Sequence, residues 1–143
     1  MARSSGFDFG SVWLFSECSR AELKNIAHRA RSETVAAGKV ICDEGEVGQE
    51  FYVVVSGRAD VVRNGRKTAE IGPNGYFGEL ALLDRLPRSA TVKAATDMEL
   101  LVIGQKDFNA LLKESGGLTR KLLQATAARL RSADSQALSA AVH

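Results

Sequence analysis

Apolar positions along the chain change period twice. Leu23, Ile26, Ala27 and Ala30 recur at three- and four-residue spacing, which predicts an amphipathic helix with one stripe to bury. Ser19 stands three residues ahead of Glu22, the spacing of a capping box that closes the helix start. From Ser32 the period shortens. Thr34 to Ala36 and Lys39 to Cys42 read as short strands, Phe51 to Val55 as the strongest β run, and Arg58 to Val62 with Arg66 to Ile71 as the arms of a hairpin around Asn64-Gly65. Ser89 to Ala95 and Met98 to Gly104 add two more strands. Helical spacing returns in Asp107 to Glu114, stops at Gly116-Gly117, and resumes from Leu118 to Ala133 with Leu118, Leu122, Thr126 and Leu130 on one stripe and Leu123 and Ala127 beside it.

Roughly eight short strands with glycine-rich turns, and no repeated strand-then-helix alternation, predict a mainly β fold with flanking helices. A two-sheet jelly roll or small barrel fits better than a parallel α/β sheet. Residues 1–10 read as a flexible lead-in, 11–134 as one domain and 135–143 as a flexible tail.

Composition narrows the function. The 143 residues suit one core, and 45% hydrophobic with 25% charged residues is ordinary for a globular domain. A formal net charge of +2 argues for neither a nucleic-acid nor a membrane partner. Arg120, Lys121, Arg129 and Arg131 make the last helix locally basic, as a solvated face would be. Cys18 and Cys42 fall in no zinc pattern and read as free thiols in a reducing, cytoplasmic setting. No secretory h-region and no span-length apolar run is present. His28 and His143 belong to no ligand-spaced cluster, so no metal is expected.

The one chemically distinctive stretch is Tyr76 to Val92, YFGELALLDRLPRSATV. Gly75 and Gly78 bracket two aromatic anchors, Glu79 to Leu83 are good helix formers, and Pro87 limits the helix to little more than a turn and a half. Backbone N–H groups near Glu79 to Ala81, and again at Ser89 and Ala90, would suit an anion, and Arg88 adds a forked, permanently positive group. A small phosphate-bearing ligand fits, although Glu79 and Arg88 taken alone also fit a weak surface pair. Glu79 and Asp84 have neither a metal set nor an activated nucleophile beside them, so hydrolysis of such a ligand is not expected.

Phe77 to Val92, FGELALLDRLPRSATV, resembles the phosphate-binding cassette of the cyclic nucleotide-binding domain family. Gly45, Gly48 and Gly57, the FYVVVSG run from Phe51 and the Gly72 and Gly75 turn support the resemblance, which extends from Leu14-Phe15 to Ala133. It implies an eight-stranded antiparallel β-roll with an N-terminal helix, a short cassette helix and two C-terminal helices. It implies a binding set of Phe77, Gly78, Glu79, Leu80, Ala81, Arg88, Ser89 and Ala90. In that set Glu79 accepts from the ribose 2′-hydroxyl, Arg88 meets the cyclic phosphate, and the amides near Leu80-Ala81 and Ser89-Ala90 complete the anion site. Ser89 leans toward cAMP over cGMP. Leu122, Leu123, Thr126, Arg129 and Leu130 on the last helix and Val61 on a strand are candidate base contacts, though each reads equally as core or exposed face. The resemblance implies a non-catalytic sensor module without cofactor, monomeric or dimerised through its last helix, and answering to an effector protein or a missing output domain. The alternative is a structural or protein-interaction domain that keeps the fold without the ligand.

Overall fold

The computed structural model describes residues 6–79, 88 and 90–142, with side chains up to residue 131. Two 3-10 turns, Phe9–Ser11 and Trp13–Phe15, lead into helix α1, Arg20–Arg29. Eight described strands follow: β1 Arg31–Val35, β2 Val40–Cys42, β3 Glu50–Ser56, β4 Ala59–Arg63, β5 Arg66–Ile71, β6 Tyr76–Phe77, β7 Thr91–Ala94 and β8 Met98–Gly104. Helices α2, Gln105–Glu114, and α3, Gly116–Val142, end the chain. The strands form two four-stranded antiparallel sheets, ordered β1-β8-β3-β6 and β2-β7-β4-β5. The mainly β architecture with flanking helices is the one expected.

β3 and β8 are nearly continuous apolar runs because each is covered on both faces. Phe51, Val53, Leu101 and Ile103 point toward the helices and pack with Phe15, Phe108, Leu118 and Leu122. Tyr52, Val54, Leu100 and Val102 point the other way, into a second core shared with Ala59, Val92 and Ala94 of the opposing sheet. The capping box forms: Glu22 N–H donates to Ser19 Oγ at 3.1 Å, and Ser19 N–H donates to Glu22 Oε1 at 2.7 Å. Asn64-Gly65 closes the β4–β5 hairpin, with Arg63 opposite Arg66.

The structure departs from the sequence pattern at both ends and at the glycine pair. Phe9 in the lead-in is buried and packs at 6.1 Å from Phe15, so this part of 1–10 is docked by an aromatic contact. The α2–α3 break falls at Ser115, where the side chain accepts from Leu118 N–H at 3.1 Å; Gly116 and Gly117 enter the first turn of α3. Helix α3 continues to Val142, through the segment 135–142 expected as a frayed tail, because no breaker follows Gly117. Strand β6 is only two residues long and was not legible as a strand between its flanking glycines. Among the described residues no helix is long and apolar enough to cross a membrane.

Candidate functional site

The cassette enters from β6. Phe77 stacks on Tyr52 of β3 with ring centroids 4.9 Å apart, which fixes the chain immediately before Gly78. Gly78 has φ +96, and a Cβ there would lie 2.7 Å from the Glu50 carbonyl and 2.9 Å from Arg88 Nη1. Both the turn and the close approach therefore require glycine. Glu79 follows with only 3% of its surface exposed. Its Oε2 faces Arg129 Nη2 on α3 at 3.0 Å, so a buried carboxylate has its charge partner on the last helix. Tyr76 senses the same pair: burial pushes its phenol up, the Glu79 charge adds to that rise and Arg129 opposes it.

Arg88 comes from the far side of the cassette. Its backbone is clamped to the β2–β3 loop, with Arg88 N–H donating to Glu46 O at 2.7 Å and Gly45 N–H donating to Arg88 O at 2.9 Å. The guanidinium donates to the Glu50 carbonyl at 3.0 Å and the Gly78 carbonyl at 3.4 Å, and its carbon lies 6.0 Å from the Tyr52 ring centroid. Gly48 makes room for it, since a Cβ at that position would sit 2.3 Å from the guanidinium carbon. Two carbonyls orient the group without neutralising it, and no carboxylate among the described residues forms an ion pair with it. A cavity of about 460 Å³ opens beside Arg88, with Cys42, Gly48, Glu50, Tyr52 and Gly104 in its wall. The arrangement presents a positive charge bonded to the carbonyl of Gly78, the neighbour of the buried acceptor Glu79, which suits an anionic, hydroxyl-bearing ligand.

Of the expected site residues, Phe77, Gly78 and Arg88 meet around Tyr52 and Glu50, while the Glu79 carboxylate faces Arg129. Ala90 is half-buried just before β7, while Leu80, Ala81 and Ser89 lie outside the described residues. Val61 is half-buried on β4 opposite Val92. Leu122 belongs to the helix-side core, and Thr126 donates its hydroxyl to the Leu122 carbonyl at 2.8 Å. Leu123 and Leu130 are 66% and 63% exposed. Arg129 is engaged by Glu79.

The basic face of the last helix is less free than its composition predicts. Arg120 and Lys121 both approach Glu17, at 3.3 and 3.7 Å, and Lys121 also lies 4.4 Å over the Trp13 ring. Gly48, Glu50 and Tyr52 were not singled out for the site from sequence. The available signal was the polar Glu50 two residues before Tyr52, hence on the same strand face, at the head of an otherwise apolar run. Among the described residues no group of His, Cys, Asp and Glu could hold a metal ion.

Known proteins resemble this chain in sequence and fold. The model of the cyclic nucleotide-binding domain matches residues 32–115. A cyclic nucleotide-gated potassium channel of Mesorhizobium japonicum is 42% identical over 105 residues, covering 73% of this chain and 29% of the channel. A cAMP-dependent protein kinase regulatory subunit of Yarrowia lipolytica is 38% identical over 103 residues, covering 71% of this chain and 28% of the subunit. The chain thus spans under a third of the length of these relatives. The crystal structure of the catabolite activator protein of Thermus thermophilus superposes with a TM-score of 0.81 at 33% identity, covering 87% of this chain and 61% of that one.

Proposed function

The chain belongs to the cyclic nucleotide-binding domain family, and from that premise we propose that it is a non-catalytic sensor that binds cAMP in preference to cGMP and reports occupancy through α3. The observation that carries the reading is the Arg88 guanidinium, oriented by the carbonyls of Glu50 and of Gly78, the residue before the buried Glu79, and unpaired by any described carboxylate. A cyclic phosphodiester bears one negative charge, and a preset guanidinium replaces water at low reorganisation cost. Glu79 supplies an acceptor for the ribose 2′-hydroxyl, with Leu80, Ala81, Ser89 and Ala90 assigned to the phosphate amides. The relay follows from Glu79 sharing its carboxylate with Arg129. A ribose hydroxyl entering that shell changes how tightly α3 is held, and an effector protein or neighbouring domain reads the change. The names of the relatives, a cAMP-dependent kinase subunit and a cyclic nucleotide-gated channel, support both the ligand class and a regulatory output.

Calorimetric titration with cAMP and cGMP tests the proposal. Binding of cAMP that weakens by about 2–5 kcal/mol in Arg88→Ala is expected. Absence of heat with either nucleotide at high micromolar concentration would refute it.

A further inference from the structure

Glu50 reaches Arg88 with its backbone and turns its carboxylate elsewhere. The carbonyl accepts from Arg88 Nη2 at 3.0 Å, whereas Oε2 pairs with Arg31 and Oε1 accepts from the Tyr52 hydroxyl at 3.0 Å. The three participants lie together because of strand register. Arg31 on β1 is opposite Val102 on β8, Val102 is opposite Tyr52 on β3, and Tyr52 is opposite Phe77 on β6. Arg31, Tyr52 and Phe77 therefore occupy one row across the sheet, with Arg88 lying beyond the Tyr52 ring.

A carboxylate attached to the very residue whose carbonyl holds Arg88 is a built-in competitor for any anion. A glutamate side chain is long enough to turn back on a guanidinium hydrogen-bonded to its own main chain, and a charge-assisted pair would follow. We propose that Arg31 is an affinity-determining residue for this site: it holds the Glu50 carboxylate away from Arg88 and so keeps the guanidinium free for the ligand phosphate. Tyr52 assists by binding the other carboxylate oxygen. This inference rests on Arg88 being the phosphate residue. It gives Arg31, far from the cassette in sequence and half-exposed on an edge strand, a role that touches no ligand.

The test is a rescue. Titrate cAMP into the full chain as wild type, Arg31→Ala, Glu50→Gln and the double variant Arg31→Ala/Glu50→Gln, at one ionic strength, with thermal unfolding as a check on folding. Arg31→Ala is expected to weaken cAMP binding about five- to twentyfold, the size of a partly exposed charge-assisted pair. Glu50→Gln, which keeps the carbonyl and an acceptor for Tyr52, sets the reference level against which the double variant is read. The double variant should return to the same level, because the released side chain no longer carries a charge. Arg31→Gln serves with the same expectations if the alanine variant does not fold. A double variant as weak as the single one, or an Arg31→Ala protein that binds like wild type, overturns the proposal while leaving the nucleotide site intact. Failure of the wild type to bind removes the reading of Arg88 itself.

Discussion

Arg129 on α3 stands 3.0 Å from Glu79, a carboxylate with 3% of its surface exposed at the head of the cassette. Arg129→Ala leaves that carboxylate without a charged partner among the described residues. Because the arginine side chain is itself 53% exposed, the loss is smaller than for a fully buried pair, and unfolding free energy should fall by about 1–3 kcal/mol. Denaturant titration measures that. In the same variant, hydrogen exchange across 118–131 should no longer respond to cAMP, whereas wild type should differ between free and cAMP-bound protein.

Glu79 also sets a prediction about the sugar. A buried acceptor that bonds a ribose hydroxyl discriminates against a ligand lacking it, and a charged acceptor is worth about 1.5–3 kcal/mol. Wild type should therefore prefer cAMP over 2′-deoxy-cAMP by about 10- to 100-fold. In Glu79→Ala both ligands lose the acceptor, and the preference should collapse to within about twofold. A preference that survives in the variant would take the sugar contact away from Glu79.

The parts of this arrangement that were legible in sequence are those set by local pattern. Phe51 to Val55 reads as a strand from its β-branched and aromatic content, and Asn64-Gly65 reads as a hairpin because the backbone there must turn tightly. Glu79 and Arg88 are visible because they sit in one contiguous cassette. The Glu79–Arg129 pair was hidden: Arg129 reads as a candidate base contact or an exposed helix position until the rotation of α3 over the roll is known. Gly48 looks like one more turn glycine, since its neighbour in space, Arg88, is distant along the chain. The diversion of Glu50 toward Arg31 depends on register across three strands, which no local period encodes.

Two glycines around Arg88 should separate binding from folding. At Gly48 the atoms nearest an added Cβ are those of the Arg88 guanidinium, at 2.3–2.5 Å, and the backbone is in no left-handed conformation. The long side chain can move aside, so Gly48→Ala should cost stability by less than about 1 kcal/mol while displacing the phosphate group's partner and weakening cAMP about tenfold. At Gly78 the same change meets the Glu50 carbonyl at 2.7 Å with φ +96. Backbone cannot step aside, so Gly78→Ala should destabilise the fold by about 1–3 kcal/mol as well as weaken binding. Denaturant midpoints and calorimetry on the two proteins check the contrast.

Cys42 predicts the alkaline limit of stability. Its thiol is buried in the inter-sheet core, and burial pushes its pKa from the ordinary 9.0 up to about 11, with the nearby Arg88 charge opposing the rise and Glu50 adding to it. The native state thus favours the neutral thiol more than the unfolded chain does. That contribution is full below about pH 9 and is lost as pH rises toward about 11, when the folded protein must either keep a proton the unfolded chain has released or bury a thiolate. The stability lost across this window should be about 2–3 kcal/mol. Tyr52, also pushed up by burial from its ordinary 10.0, acts in the same direction from about pH 10, so the thiol is isolated by comparison with a variant that lacks it. Unfolding free energies of wild type and Cys42→Ala measured from pH 8 to 11 should converge as pH rises, because the variant has no thiol to deprotonate. Parallel curves would show that Cys42 ionises as freely in the folded protein as in the unfolded chain.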